Sequence, residues 1–146
     1  MSKILISHRG NLSGINEPLE NNPDYIDKAI LLGYEVEVDV WYVDGKYYLG
    51  HDIPQYHVEE EYLKNKKLWC HAKNYEALTN MLNQNIHCFW HESDTVTLTS
   101  KGYIWANLKQ QPLEGSIAIM PERNNEDVSS CLGICSDFIE NYRDKK

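Results

Sequence analysis

Long apolar runs are missing from this 146-residue chain; none approaches the ~20 residues that a membrane-spanning helix requires. The opening "MSKILIS" lacks the extended apolar centre of a secretory signal, so the cytoplasm is the expected compartment. Positive charge is scarce. Lys and Arg number 14 against 22 Asp and Glu, a formal charge of −8. Such a surface argues against a nucleic-acid or anionic-membrane partner and leaves room only for a local anion site. Cysteine is sparse as well. Cys70, Cys88, Cys131 and Cys135 form no CxxC pair, and Cys70, Cys88 and Cys135 lie in apolar strand-like runs. Buried thiols are therefore expected, rather than disulfides or zinc ligands. No repeat, low-complexity tract or linker interrupts the chain, so a single domain over 1–146 is expected.

What the chain does contain is short apolar segments at regular intervals. Strands are predicted over 3–7, 34–42, 46–51, 67–72, 86–91, 103–107, 116–120 and 132–136. Helices are predicted between some of them. "PDYIDKAILLG" carries a proline at its start, an acidic first turn, an apolar stripe at Tyr25, Ile26, Ala29 and Ile30, and Gly33 as a stop. "NYEALTNMLNQN" repeats the scheme, with Asn74 as N-cap and Leu78, Met81 and Leu82 facing inward. "VEEEYLKN" and "NNEDVSS" are weaker helix candidates, and "ENYRDKK" reads as a solvated end. Alternating strands and helices indicate an α/β fold with a mainly parallel sheet or barrel. A full (β/α)8 barrel typically takes ~250 residues. The expectation is a shortened or incomplete TIM barrel with several helices reduced to loops, left open or completed by self-association.

The segment "EVEVDVWYVDGKYYLGHD" is the most informative. Strand side chains alternate faces, so Glu35, Glu37 and Asp39 share one side and Val36, Val38 and Val40 the other. A hairpin at Asp44-Gly45 then returns the chain to His51 and Asp52. A two-residue loop sets His51 opposite Val38, whereas a three-residue loop sets it opposite Asp39; the sequence permits both. Active groups in parallel α/β folds collect at the C-terminal strand ends. His8, Arg9 and Gly10 follow the first strand, Glu37 and Asp39 lie near the corresponding end of the second, and His71 and Lys73 follow the third, in "WCHAK". Trp90, His91, Glu92, Asp94, Trp105, Glu122 and Asp137 stand at later strand ends, where structural or substrate-shaping roles are expected.

Two neighbouring carboxylates call for a cation, and oxygen donors favour Mg²⁺, Ca²⁺ or Mn²⁺. Such an ion polarises a phosphoryl oxygen, two histidines can move protons, and Arg9 and Lys73 offer charge to phosphate. The plainer alternatives are a solvated acidic strand face, an ordinary turn at His8-Arg9-Gly10, a hairpin-end hydrogen bond at His51-Asp52, a core histidine at position 71 and a helix-start lysine at 73.

The ordered set "HRG" (8–10), "LEN" (19–21), "EVD" (37–39) and "GHD" (50–52) resembles the motifs of the glycerophosphodiester phosphodiesterase family, and "LGICSDF" resembles its last-strand motif. The resemblance is dense from His8 to Lys73. It implies a TIM barrel, His8 and His51 as the acid/base pair, Glu37 and Asp39 as metal ligands, Arg9 and Lys73 as phosphate ligands, and Glu20 and Asn21 as supports. The family's third metal ligand is a glutamate; His71 occupies that place here, which admits Zn²⁺ beside Mn²⁺ and suits Mg²⁺ and Ca²⁺ poorly. Leu19 also separates Pro18 from Glu20, where the family has them adjacent. The implied substrate is a small glycerophosphodiester or similar headgroup ester. The alternatives are a lyso- or sphingophospholipid phosphodiesterase that releases a cyclic phosphate, and a non-catalytic binder of a phosphorylated ligand or protein.

Overall fold

A computed structural model of the chain describes residues 2–143. Helix α1 (Pro23–Leu31) begins where the sequence supplies an N-cap: the Asn22 side chain accepts from the Asp24 amide and Pro23 occupies the first turn. Gly33, at φ +101, ends it, its N–H donating a hydrogen bond to the Ile30 carbonyl. Helix α3 (Tyr75–Asn83) is capped by Asn74, which accepts from Ala77 N. The same Asn74 side chain binds both backbone groups of Tyr42, fastening the helix to the neighbouring strand. Between them, α2 is one short turn, Glu60–Leu63, all that "VEEEYLKN" yields. "NNEDVSS" forms no helix; a 3₁₀ turn, Pro121–Asn124, precedes it and ends at Asn125 in the left-handed region.

The strands, in chain order, are β1 (Ile4–His8), β2 (Glu35–Val43), β3 (Lys46–Leu49), β4 (Tyr56–Val58), β5 (Leu68–Ala72), β6 (Cys88–Phe89), β7 (Val96–Leu98), β8 (Ile104–Ala106), β9 (Ile117–Ile119) and β10 (Gly133–Ser136). They form one ten-stranded mixed sheet. Seven strands run parallel in the order β6-β5-β2-β1-β10-β9-β8, and β7 adds antiparallel to β8. β2 is long enough to pair twice along one edge, first with β1 and then with β3, while β5 covers its other edge. β4 and β7 were not foreseen from sequence.

The sheet does not close on itself, in keeping with an incomplete barrel: among the described residues, β6 and β8 share no ladder. The sheet nonetheless curls until its far strands touch, with the rings of Phe89 and Trp105 centred 4.6 Å apart. Both edges of β8 are already used, one by β9 and the other by β7, so β6, two residues long and paired with β5, meets no free edge there; Ser100 fills the gap by binding Cys88 N and O and Ile86 O.

Two layers of core follow from strand alternation. Val36, Val38, Val40, Cys70, Ala72 and Cys88 face outward onto Ile26, Ala29, Ala77 and Met81 of the helices. Each fully buried valine contributes roughly 1.5–3 kcal/mol to this layer. Leu82, expected in the stripe, is half exposed; Ala77 takes its place because the sheet meets that helix one position round. Inside the curl lie Ile6, Trp69, Phe89, Trp105, Ile117 and Cys135. All four cysteines are buried and free. The chain end is less solvated than expected. Tyr142 donates to Glu122, and the Arg143 guanidinium stacks 4.2 Å over the Tyr34 ring; residues 144–146 lie outside the described region.

Candidate metal and phosphate site

The inner-face plug positions the site by simple parity. Two residues beyond each plug side chain, on the same face, stand His8 after Ile6, His71 after Trp69, His91 after Phe89, Asn107 after Trp105 and Asp137 after Cys135. Glu35, Glu37 and Asp39 of β2 share that face. All of these except Glu35 and Asp39 line a cleft of ≈620 Å³ that also takes in Arg9, Glu20, His51, Lys73 and Arg123. Glu35 lies deeper, accepting from Trp69 Nε1 at 2.8 Å. The acidic row is thus no solvated face: Glu37 is 2 % exposed and Asp39 0 %.

The Glu37, Asp39 and His71 ligand atoms lie within 4.8 Å of one another. His71 Nδ1 stands 3.6 Å from Glu37 Oε2 and 3.5 Å from Asp39 Oδ1. Its Nε2 faces the His91 carbonyl at 3.3 Å, and a carbonyl can only accept, so that nitrogen carries a proton. The Nδ1 lone pair is then directed at the carboxylates, the arrangement in which ligating histidines are usually held. Glu37 Oε1 and Asp39 Oδ1 are buried with no hydrogen-bond partner. Burial alone would lower the His71 pKa, but the two carboxylates outweigh it and raise it to about 9. Asp39 is driven in the opposite direction. Burial opposes its charge, yet His71, Arg9 and Asn21 hold it well below the usual carboxylate range. Without a cation, then, a proton on His71 supplies the positive charge these acids require. The orphaned oxygens and the imidazole fit a divalent ion with mixed O/N preference.

Around this centre the sequence-predicted supports fall into place. Asn21, at φ +66, accepts from the Asp39 amide at Oδ1 and donates Nδ2 to Asp39 Oδ2, both at 2.9 Å. Arg9, at φ +60, donates Nη1 to Glu20 at 3.1 Å. Its Nε is 3.0 Å from Asp39 Oδ2, an ionic contact whose angle falls short of a hydrogen bond. Burial opposes the Arg9 charge, but Asp39, Glu37 and Glu20 together raise its pKa. Gly10 at φ +98 permits the tight exit from β1, since a Cβ there would sit 2.5 Å from the Tyr25 ring.

His8 and His51 are held differently. His8 Nδ1 is 2.7 Å from Asp137 Oδ1, and its Nε2 is 3.8 Å from Glu37 Oε1. Burial pushes Asp137 up, but His8, Asn11 and Arg123 bring it below its ordinary value. The hairpin takes the two-residue form: Val43 pairs with Lys46, with Asp44 and Gly45 both at positive φ. The ladder ends at Val40 and Leu49, so His51 does not pair with Val38. It leaves the sheet and stands at the cleft rim, 44 % exposed, with Nδ1 2.8 Å from Asp52. Lys73 also lines the cleft, its amide bound to the Val40 carbonyl.

Three contributors were missed or undervalued in the sequence. Asn11, fully buried, donates to both Glu20 and Asp137 and accepts from Tyr25. Its only signal was its place beside His8-Arg9-Gly10. Asp137 was given a structural role; the last-strand motif was the clue to its partnership with His8. Arg123 carried no signal, because a turn outside any motif delivers it.

No protein-family model matches the chain, and no curated protein or solved structure matches it either. Among the described residues, no helix is long and apolar enough to cross a membrane.

Proposed function

We propose that this chain is a metal-dependent phosphodiesterase acting on a small glycerophosphodiester or similar headgroup ester. The observation that carries the reading is a buried cluster in which unpartnered carboxylate oxygens meet two imidazoles: Asp39 Oδ1 lies 3.5 Å from His71 Nδ1, and Glu37 Oε1 lies 3.8 Å from Nε2 of His8, which is itself paired with Asp137. The curled, open sheet is on this reading a shortened (β/α)8 barrel. The free, buried thiols suit a reducing compartment such as the cytoplasm.

A divalent cation bound by Glu37, Asp39 and His71 would polarise a phosphoryl oxygen and lower the pKa of an adjacent hydroxyl. Two carboxylates and one imidazole favour Mn²⁺ or Zn²⁺ over Mg²⁺ or Ca²⁺. Asp137 accepts the Nδ1 proton of His8, which fixes the tautomer and leaves Nε2 as the base. His8 Nε2 takes the proton of a substrate hydroxyl next to the ester. That oxygen bonds to phosphorus as the bond to the leaving alcohol breaks, and His51 protonates the departing alkoxide. The products are the free alcohol and a cyclic phosphate, which water opens using the same two groups in reverse roles. Lys73 supplies charge to the phosphate oxygens.

The test offers purified protein a panel of glycerophosphodiesters with Mn²⁺, Zn²⁺, Mg²⁺ or Ca²⁺. Release that EDTA abolishes, and that His8→Ala and His51→Ala each remove, supports the reading. No release with any metal overturns it.

A further inference from the structure

We infer that Arg123 is the residue that receives the substrate phosphate, a role that the sequence pattern gives to Arg9; the inference rests on the phosphodiesterase reading. Arg9 is poorly placed for that work. Two of its three guanidinium nitrogens are engaged, one with Glu20 and one with Asp39, and its side chain is 19 % exposed. Freeing it for a ligand would leave Asp39, wholly buried, without its nearest full positive charge. Arg9 is therefore a counterion to the carboxylates.

Arg123 differs in each respect. It lines the same cleft and is 49 % exposed. Its Nη2 makes one long contact, 3.4 Å to Asp137 Oδ2. A guanidinium has five N–H donors in a rigid fork that matches two phosphate oxygens, so most of its capacity remains for an incoming anion. The turn that carries it is anchored. Met120 enters it at φ +48, its amide bound to the Cys135 carbonyl, and Glu122 accepts from Ser136 Oγ at 2.9 Å and from Tyr142 OH at 3.0 Å. The base of Arg123 is thus fixed to β10 and to the chain's last turn while its tip reaches the cleft.

Its position in the sheet order also fits. Lys73 follows β5 and Arg123 follows β9; the strands between them, β2, β1 and β10, bear Glu37, Asp39, His8 and Asp137. The two cations flank Glu37, Asp39 and the proposed base. A phosphate seated there meets positive charge on both sides in a cleft whose acidic lining is Glu17, Glu20, Glu37, Glu92 and Asp137. An anion entering this acidic chain requires such a pair.

The experiment measures inorganic phosphate binding by calorimetry, with Mn²⁺ present, for the wild type, Arg123→Gln, Arg123→Lys and Lys73→Met, beside turnover of a glycerophosphodiester. Arg123→Gln is expected to weaken phosphate binding roughly tenfold or more, the scale of a lost charge-assisted hydrogen bond, and to raise KM in step. Arg123→Lys should recover part of the loss as a point charge. An unchanged phosphate affinity in Arg123→Gln, with only the pH profile of kcat displaced, overturns the inference: Arg123 would then act solely through Asp137. That result leaves the phosphodiesterase reading intact. Wild-type protein that neither binds phosphate nor turns over any diester overturns both. Equal thermal midpoints across the set show that the half-exposed side chain was removed without unfolding.

Discussion

His8 Nδ1 and Asp137 Oδ1 lie 2.7 Å apart although 129 residues separate them in the chain. The parallel pairing of β1 with β10, Ser7 against Ser136, puts the two residues at adjacent strand ends. Asn11 holds the carboxylate from a second side at 2.9 Å, and Arg123 approaches its other oxygen. A buried carboxylate with three donors does not wander, so the imidazole it holds keeps one tautomer and one orientation.

Asp137→Asn therefore separates geometry from charge. The amide nearly matches the carboxylate in shape but cannot stabilise the imidazolium that forms when His8 accepts a proton. The expected result is a fall in kcat of about 10²–10⁴-fold, with metal binding by the Glu37–Asp39–His71 group retained. Steady-state kinetics beside a metal titration check this. Wild-type turnover in Asp137→Asn would remove His8 from proton transfer.

Metal choice gives a second prediction. With two carboxylates and an imidazole as the protein donors, Mn²⁺ or Zn²⁺ at about a hundred times Kd should raise the thermal midpoint by about 5–10 °C. Mg²⁺ and Ca²⁺ at the same concentration should do much less. His71→Ala should abolish the shift. Asn21→Ala, which leaves Asp39 N and Oδ2 without their partner, should cost 10–100-fold in affinity on the scale of lost supporting contacts. A midpoint indifferent to all four metals would mean that the proton on His71 is the only cation this site accepts.

Much of this centre was legible because strand parity is a strict rule. Once Val36, Val38 and Val40 are assigned to the helices, Glu37 and Asp39 must face the other way. The cap at Asn74 was equally local and formed as read, whereas the hairpin at Asp44-Gly45, for which the sequence permitted two loop lengths, took the two-residue form. What escaped depends on distance or on cooperation. β4 has three residues and exists because β3 offers an edge; β7, "VTL", is also three residues long, and its apolar Val96 and Leu98 are exposed, so no buried stripe marked it. The strand count left open how the shortened sheet would end, because that depends on which strand takes the second edge of β8, and β7 takes it. Leu82 was assigned by helical period alone, and the sheet chose Ala77. Arg123 reaches the cleft through a turn whose left-handed residues, Met120 and Asn125, have no signature in composition.

His87 predicts how stability varies with acid, independently of any function. Its ring lies 4.4 Å from that of Trp69 and binds Thr99 Oγ1 at 2.8 Å. Burial first, and Lys101 second, lower its pKa from 6.5 to about 4. The folded form therefore binds fewer protons than the unfolded form between these values. The stability involved is fully present above about pH 6.5 and is lost as pH falls toward 4. Partial exposure keeps the effect to about 1–2 kcal/mol. In urea titrations from pH 7 to 4, His87→Gln, which retains an amide for Thr99, should lose less stability than the wild type. Parallel curves for the two proteins would contradict the assignment.

Gly50 tests whether the His51 loop does more than decorate the rim. The loop is bound at three points: Gly50 N donates to the Asp39 carbonyl at 3.1 Å, Trp41 Nε1 donates to the Gly50 carbonyl at 2.7 Å, and Gln55 N returns to the Leu49 carbonyl at 2.9 Å. Between them the chain folds so tightly that a Cβ on Gly50 would overlap the carbonyl oxygen of Ile53. Backbone cannot yield as a flexible side chain does, so Gly50→Ala must open the loop and displace the adjacent imidazole. Because β2 and β3 pair only as far as Val40 and Leu49, the disturbance stops short of the core, and the thermal midpoint should fall by only a few degrees. Turnover should fall about as far as in His51→Ala, with metal binding largely retained, since the parallel pairing of β2 with β1 and β5 holds Glu37, Asp39 and His71 whatever the loop does. Trp41→Phe, which removes one of these fastenings, should give a smaller loss of the same kind. If Gly50→Ala turns over like the wild type while a structure shows the loop moved, then His51 is not the group that protonates the leaving alcohol, and that proton must come from another donor on the cleft wall.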